Sequence, residues 1–194
     1  MAKLILASQS PRRQELLKEM GLDFQVLTIK VDESFPPELT PSEAVQYIAR
    51  KKAEALTDYA DQDLVLTADT IVVLDGRILG KPKDEKDALE MLSSLSGRWH
   101  EVMTACCLLY RGKFSTILEV TRVCFRELSR KELEHYIQEY QPFDKAGAYG
   151  IQEWIGIVGV TEIQGSYHNV VGLPTARLYE ALKELGLKGT RTKD

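Results

Sequence analysis

Hydrophobic and polar positions along the chain alternate between short apolar runs, typical of strands, and longer stretches with the 3.6-residue period of helices. Residues 3–7 form the first apolar run, and residues 14–20 continue from it as a helix. Residues 84–95 have amphipathic helical spacing, and Asp75-Gly76 between two short apolar runs predicts a two-residue hairpin. The pattern therefore predicts strands and helices that follow one another closely.

The other elements are predicted from the same patterns and from capping signals. Thr40 and Ser129 each stand three residues before a glutamate, a spacing that predicts a capping box at the start of a helix. The further predicted helices occupy residues 41–57, 130–140 and 175–185. The predicted strands occupy residues 23–29, 63–68, 71–74, 77–79, 102–110, 113–128, 155–163 and 167–171, and residues 188–194 are expected to form a polar tail.

The first polar segment, SQSPRR at residues 8–13, lies between the first strand and the first helix. Ser10 suits the N-cap and Pro11 the first helical position, so the segment is predicted to be a tight strand-to-helix turn. Backbone N–H groups, two hydroxyls and two guanidinium groups would converge there, and such helix N-termini bind phosphate and other anions. An ordinary capped turn with solvated arginines is the alternative, and the motif by itself leaves both open.

Lys52 falls in the centre of the apolar stripe of the second predicted helix, counted at about 100° per residue. Its ammonium group either extends along its stem to solvent or reaches a buried anion, and the periodicity leaves both open. Asp32 and Glu33 lie in the polar loop at residues 30–39, where solvated loop charges are the favoured interpretation.

Asp69 follows a short apolar strand, residues 63–68, which is predicted to end at Asp69-Thr70. The hairpin after it reverses the chain, so that Lys81 in the Gly-Lys-Pro turn can return to the neighbourhood of Asp69. The two side chains would form either a simple cross-strand pair or a metal-binding or basic carboxylate beside a phosphate-binding cation. The tight Gly-Lys-Pro turn favours the second interpretation.

Residues 144–152, with the sequence DKAGAYGIQ, combine small and polar side chains. Glycine and alanine leave room for a ligand, and Asp144, Lys145 and Gln152 supply polar contacts. The amide of Gln152 can read the edge of a base, because it carries a donor and an acceptor side by side. Since glycine-rich turns also serve packing, the segment is a candidate ligand contact only.

Composition narrows the classes of function. The 194-residue chain has a net charge of −4, which argues against a general nucleic-acid binder. No apolar run reaches the roughly 18 residues of a membrane-spanning helix, and the N-terminus lacks the apolar region of a signal peptide. The cysteines lie in apolar strands without metal-ligand spacing, as expected for reduced core residues of a cytosolic protein. They are Cys106, Cys107 and Cys124.

Several motifs occur in one order along the chain. They are SQSPRR at 8–13, ADT at 68–70, GKP at 80–82, DKAGAYGIQ at 144–152 and GSYHNVVGLP at 165–174. This order resembles the Maf family of nucleoside triphosphate pyrophosphatases, also called septum-formation-inhibitor-like proteins, over nearly the whole chain. The resemblance is closest to the branch that hydrolyses dTTP and UTP, in which positions matching Arg12, Thr70 and Gln152 mark substrate choice.

The resemblance implies an α/β fold with an elongated mixed β-sheet flanked by helices, two lobes and a central cleft. It also implies a single domain over residues 1–194 and a cytoplasmic enzyme, often a homodimer, that requires a divalent metal cation such as Mg²⁺ or Mn²⁺. Together with the composition, it predicts a nucleoside triphosphate as the binding partner, with neither nucleic acid nor membrane.

The resemblance also carries site residues over by position. Asp69 matches the residue assigned as proton acceptor. The positions that line the triphosphate and metal site are matched by Ser8, Arg13, Glu33, Lys52 and Lys81. Glu33 and Asp69 would supply the few carboxylates that Mg²⁺ prefers. Glu153-Trp154 departs from the small residues that follow this motif in many members of the family.

The leading hypothesis is a nucleoside triphosphate pyrophosphatase that hydrolyses dTTP and UTP, or modified pyrimidine nucleotides, to the nucleoside monophosphate and diphosphate. The alternative is a non-catalytic nucleotide-binding regulator of cell division or septum formation. A nucleic-acid-binding module is a third hypothesis, which the acidic balance of the chain opposes.

Overall fold

A computed structural model describes residues 2–186, and a seven-stranded β-sheet runs through them. The strands are β1 (Leu4–Leu6), β2 (Phe24–Val26), β3 (Leu64–Leu74), β4 (Arg77–Leu79), β5 (Trp99–Tyr110), β6 (Lys113–Phe125) and β7 (Val160–Gln164). Their order is β2-β1-β3-β5-β6-β7, and β4 pairs with β3. The sheet is mixed, because β1 is parallel to β2 and β3, whereas β3–β4 and β6–β7 are antiparallel.

Helices connect and flank these strands. They are α1 (Pro11–Glu19), α2 (Pro41–Glu54), α3 (Glu85–Leu95), α4 (Arg130–Tyr140), α5 (Trp154–Gly159), α6 (Tyr167–Val171) and α7 (Thr175–Glu184). The predicted α/β class, with a mixed sheet flanked by helices, is confirmed. The elongated shape, the two lobes with a central cleft and the single domain over residues 1–194 stay predictions.

The described chain forms two compact units, and it passes from one to the other within β3, β5 and β6 and again directly after α6. The first unit takes in the described residues up to Asp69, the range Thr104–Glu119 and the described residues from Gly172 onward. The second unit consists of Thr70–Met103 and Val120–Val171. Each unit has a core of its own, in the first around Leu6, Leu17, Val45 and Leu66, and in the second around Leu92, Phe125, Leu133 and Tyr136.

Both predicted capping boxes are confirmed. The N–H of Thr40 donates to Glu43 Oε2 at 2.9 Å, and the N–H of Glu43 donates to Thr40 Oγ1 at 3.4 Å. Ser129 and Glu132 form the same reciprocal pair at the start of α4. Two backbone donors that helix geometry leaves unpaired are satisfied at each site, which fixes where α2 and α4 begin.

The prediction that a strand ends at Asp69-Thr70 is wrong. β3 continues through both residues to Leu74 and contributes Val72, Val73 and Leu74 to the hairpin with β4. A polar pair does not interrupt backbone pairing, since the ladder uses main-chain groups and both side chains are half-buried. Asp69 therefore lies in the middle of a long strand, with strand residues both before and after it in the chain.

Of two predicted strands near the C-terminal end, one is partly and the other wholly helical. Residues 155–163 begin as α5, in which Ile155 and Gly159 are buried four residues apart, and only the part from Val160 onward is a strand. Residues 167–171 form α6, for which Ser166 Oγ accepts the N–H of Asn169 at 3.2 Å. Short apolar runs fit either period, so hydrophobicity alone does not separate strand from helix here.

The remaining differences concern element ends. The strand predicted over 23–29 is limited to Phe24–Val26, and α2 ends at Glu54 before one turn of 3₁₀ helix at Thr57–Tyr59. Among residues 2–186, none of the helices combines the length and hydrophobicity that a membrane crossing requires. The cysteines are free thiols, as predicted. The predicted polar tail, residues 188–194, lies outside the described residues.

Candidate active site

Lys52 is the centre of an ionic group in the first unit. Its Nζ atom lies 2.8 Å from Asp69 Oδ1 and 2.8 Å from Glu33 Oε1. The side chains of Lys52 and Asp69 are 12% and 14% exposed, whereas that of Glu33 is 52% exposed. The structure agrees with the interpretation in which Lys52 reaches an anion, because the ammonium group ends on the half-buried Asp69.

The loop that carries Glu33 is anchored to the same helix by the residues on either side of it. Lys51 Nζ donates to Asp32 Oδ2 at 3.3 Å and to the carbonyl oxygen of Ser34 at 3.2 Å. Hydrogen bonds from Ser34, with a further one from Lys51, lower the pKa of the Asp32 carboxyl group to about 2. Asp32 and Glu33 are exposed, as the interpretation of solvated loop charges expects, and each is also paired with a lysine of α2.

The turn between β1 and α1 holds Arg13 against the backbone of two distant segments. Arg13 Nη1 donates to the carbonyl oxygen of Ala68 at 2.9 Å and to Ser8 Oγ at 3.3 Å. Arg13 Nε donates to the carbonyl oxygen of Gly172 at 3.0 Å. Ser10 occupies the N-cap of α1 as predicted, but its side chain makes no capping bond, and its N–H donates to Ser8 Oγ at 3.2 Å.

Charges of both signs meet around Arg13. Burial lowers the pKa of its guanidinium group, the carboxylates of Asp69 and Glu33 oppose that shift, and the charge of Arg12 adds to it. The first unit thus brings together six of the predicted site residues as a set of cations, carboxylates and one hydroxyl. They are Ser8, Arg12, Arg13, Glu33, Lys52 and Asp69.

The other predicted site residues lie in the second unit. Thr70 is half-buried in β3, whereas Lys81 and Gln152 are exposed. Val72 pairs with Leu79 in the β3–β4 hairpin. Thr70 lies two residues before Val72, and Lys81 lies two residues after Leu79, so both come to the end of the hairpin opposite its turn. Their roles, like those of the residues in the first unit, stay predictions.

Gly147 connects the parts of the second unit that carry Lys81 and Gln152. Its N–H donates to the carbonyl oxygen of Gly80 at 3.0 Å, so the Gly-Lys-Pro turn and the DKAGAYGIQ segment are bonded directly. Gly147 has a φ of 67°, and a Cβ atom there would lie 2.8 Å from Val72 Cγ2. Both its backbone conformation and the close approach to β3 require glycine.

We expect Gly147→Ala to lower the free energy of unfolding by about 2 kcal/mol more than Gly76→Ala, because it adds overpacking against Val72 to the conformational cost. Gly76 is a matched control, since its φ is 76° and a Cβ atom there would meet nothing within 4 Å. Urea denaturation of both variants measures the difference. Equal destabilisation would show that the contact with Val72 relaxes without cost.

The two carboxylates of the first unit fit a divalent cation that is bound partly by the protein and partly by substrate phosphates and water. Glu33 and Asp69 point oxygens at the same ammonium group, so their carboxylates lie close together. Among residues 2–186 no group of three or more acidic, histidine or cysteine side chains is arranged to hold a metal ion. Mg²⁺ is commonly bound by one or two carboxylates plus substrate phosphates and water, and this donor set matches that pattern.

Sequence reasoning missed how Arg13 is held. Its partners are backbone carbonyl groups of Ala68 and Gly172, which are 55 and 159 residues away along the chain. A carbonyl acceptor has no side-chain signature, because every residue carries one. The only sequence signal was the arginine pair itself, which did not indicate which of the two arginines the backbone holds.

Known proteins resemble this chain over most of its length. The dTTP/UTP pyrophosphatase of Phocaeicola vulgatus is 51% identical over 185 residues, which are 94% of this chain and 96% of that protein. The dTTP/UTP pyrophosphatase of Bacteroides thetaiotaomicron is 48% identical over 185 residues, 94% of this chain and 96% of that protein.

A solved structure, the Staphylococcus aureus Ham1 protein, superposes with a TM-score of 0.44 at 15% identity over 63% of this chain and 71% of that one. The sequence model of a protein family described as Maf-like protein matches residues 3–185. The chain belongs to the Maf family.

Proposed function

We propose that the protein is a nucleoside triphosphate pyrophosphatase that hydrolyses dTTP and UTP, or modified pyrimidine nucleotides, to the nucleoside monophosphate and diphosphate. The observation that carries the proposal is the ionic group at Lys52, whose Nζ lies 2.8 Å from both Asp69 and Glu33. It combines a cation suited to phosphate with carboxylates suited to a metal ion and to proton transfer. Relatives named dTTP/UTP pyrophosphatase, about half identical to this chain, support the substrate.

Asp69 is the residue proposed to activate water. Its half-buried carboxylate accepts a hydrogen bond from Lys52, which keeps it oriented in β3. In the proposed step, water attacks the α-phosphorus, its proton passes to the Asp69 carboxylate, and the bond from the α-phosphorus to the oxygen that bridges to the β-phosphate breaks. Diphosphate leaves with the electron pair of that bond. In phosphoryl transfer of this kind, positioning of the reactants and stabilisation of the phosphate charge supply most of the acceleration.

The phosphate chain is proposed to bind to the cations and the hydroxyl of the turn after β1. Ser8 Oγ accepts from Arg13 and from the N–H of Ser10, which leaves its hydroxyl hydrogen to donate to a phosphate oxygen. Lys52 and Lys81 are suited to phosphate as point charges. Glu33 and Asp69 would hold Mg²⁺ or Mn²⁺, which neutralises phosphate charge when bound.

Three further properties belong to the same proposal. Arg12, Thr70 and Gln152 are proposed to select the nucleotide, as the residues at matching positions do in the dTTP/UTP branch of the family. A cytoplasmic location and a homodimer are proposed from the family resemblance. Association with nucleic acid or membrane is not proposed, since the chain is acidic, with a net charge of −4.

A panel of nucleoside triphosphates tests the function. The purified protein is incubated with each common ribonucleotide and deoxyribonucleotide and Mg²⁺ or Mn²⁺, and the products are separated by ion-exchange chromatography. We expect dTMP or UMP plus diphosphate, with kcat/KM for CTP and purine nucleotides lower by about tenfold or more. A chelator should stop the reaction, and added Mg²⁺ or Mn²⁺ should restore it.

Two results would contradict the proposal in different ways. Release of orthophosphate from dTTP would indicate a phosphatase that cleaves at the terminal phosphate. Binding of dTTP without cleavage under any metal condition would favour the non-catalytic regulator.

A further inference from the structure

Lys145 is a charged side chain buried in the second unit, and it is 8% exposed. Its Nζ atom lies 2.7 Å from Asp144 Oδ1 and 3.1 Å from Glu153 Oε1. A buried ammonium group is costly unless it is paired and hydrogen-bonded. The polar side chains around the DKAGAYGIQ segment therefore bond to each other inside the unit rather than all pointing toward a ligand.

Tyr136 of α4 links this cluster to the backbone. Its hydroxyl accepts the N–H of Gly150 at 3.0 Å and donates to Glu153 Oε2. Burial, and then the Glu153 carboxylate, raise the pKa of Tyr136, so the hydroxyl keeps its proton and remains a donor. The Glu153 carboxylate thus holds Lys145 with one oxygen and Tyr136 with the other.

The residues that Tyr136 holds are the two ends of one turn. The N–H of Glu153 donates to the carbonyl oxygen of Gly150 at 3.0 Å, which closes the four-residue turn 150–153. A Cβ atom on Gly150 would lie 2.9 Å from Glu153 Cδ and 3.1 Å from Lys145 Cε, so the packing leaves no room there. Gln152 is the exposed residue of this turn, beside the buried Ile151.

We propose that Tyr136, Lys145 and Glu153 are positioning residues that fix the turn 150–153, so that the amide of Gln152 meets the edge of a pyrimidine base. The proposal rests on the proposed function, and it assigns nucleotide selectivity to a buried network rather than to Gln152 alone. Functional groups keep a productive geometry when packed and hydrogen-bonded neighbours lock the backbone that carries them.

A fixed position matters because of what the amide can recognise. Uracil and thymine present carbonyl oxygens beside an N–H group, whereas cytosine presents an amino group beside a ring acceptor. The donor and acceptor of a glutamine amide favour one base over another only where its reach is limited. A turn released from Tyr136 would let the amide approach either base.

Tyr136→Phe and Glu153→Gln test the proposal through kcat and KM for UTP and CTP. We expect Tyr136→Phe to raise KM for UTP and to lower the ratio of kcat/KM for UTP over CTP by about tenfold, since it leaves the buried N–H of Gly150 without its acceptor. Glu153→Gln, in which glutamine keeps the shape of glutamate, should also lower this ratio. It replaces Tyr136→Phe as the test if the Tyr136→Phe protein does not fold. Inhibition by inorganic tripolyphosphate, which lacks a base, should stay within about twofold.

Tyr140→Phe is the matched control. The Tyr140 ring stacks on Tyr136 with 5.1 Å between centroids and is itself 39% exposed, and none of the bonds described above among Tyr136, Gly150, Glu153 and Lys145 uses its hydroxyl. Its selectivity should equal that of the wild type. In a Gln152→Ala background, Tyr136→Phe should cause no further loss of selectivity, because the amide that the turn positions is already gone.

Wild-type selectivity in both Tyr136→Phe and Glu153→Gln would overturn the positioning role while leaving the proposed function intact. If Tyr136→Phe lowered selectivity in the Gln152→Ala background as much as in the wild type, the positioning role would also be overturned. The network would then act through something other than the amide. A wild-type protein that cleaves neither UTP nor dTTP would overturn the function and this role together.

Discussion

Asp69→Asn is expected to lower kcat for dTTP hydrolysis by about a thousandfold, which is the scale of a lost general base. Asparagine keeps the shape of the side chain in β3, but it neither takes a proton from water nor carries the charge that pairs with Lys52 at 2.8 Å. Steady-state assays of dTMP formation measure the change. The folded state should persist, because Lys52 retains its second partner, Glu33.

Asp58→Asn is the control for Asp69→Asn. Asp58 is an exposed carboxylate of the same unit, on the 3₁₀ turn Thr57–Tyr59, and its replacement should leave kcat unchanged. If Asp69→Asn kept more than about a tenth of wild-type activity, proton transfer to another group or direct attack by unassisted water would replace the role proposed for Asp69.

Arg13→Lys is expected to lower the free energy of unfolding by about 3 kcal/mol and kcat/KM for dTTP by about a hundredfold. A lysine keeps the positive charge but lacks the planar fork that bonds Ala68, Ser8 and Gly172. Buried carbonyl oxygens would lose their donors, and the backbone next to Asp69 would lose its anchor. Urea denaturation and steady-state kinetics measure the two effects.

Lys18→Met is the control on the same helix, because Lys18 is exposed on α1. It should change the free energy of unfolding by no more than about 0.5 kcal/mol, as is usual for surface positions. A wild-type free energy of unfolding for Arg13→Lys would show that the charge of Arg13, and not its bonds to the backbone, holds the turn. Loss of activity without loss of stability would indicate contact with phosphate alone.

Local signals in the sequence predicted what depends on neighbouring residues. The 3.6-residue period of α2 placed Lys52 in a buried stripe, and the structure ends its side chain on Asp69. Thr40 and Ser129 predicted capping boxes because both partners lie within one helical turn. The Asp75-Gly76 hairpin is confirmed for the same reason, since two residues with positive φ determine it.

Other features depend on partners that are distant in sequence or on packing. The bonds of Arg13 to two backbone carbonyls, and the burial of Lys145 beside Glu153, arise only when separate elements meet. Residues 155–159 were predicted as strand because a short apolar run fits both periods, and core packing decided for α5. The resemblance supplied the roles of the site residues, which the residue types alone left open.

One of the points at which the chain passes from the first unit to the second is the peptide bond between Asp69 and Thr70. On the proposed roles, the residue that performs chemistry and a residue that chooses the nucleotide are neighbours in sequence but belong to separately packed cores. On those roles, substitutions around Thr70 alter the accepted base without replacing a residue of the ionic group at Lys52. On the proposed roles, divergence of the second unit alters base preference through Thr70 and Gln152, whereas the contribution of Arg12 changes only with the first unit.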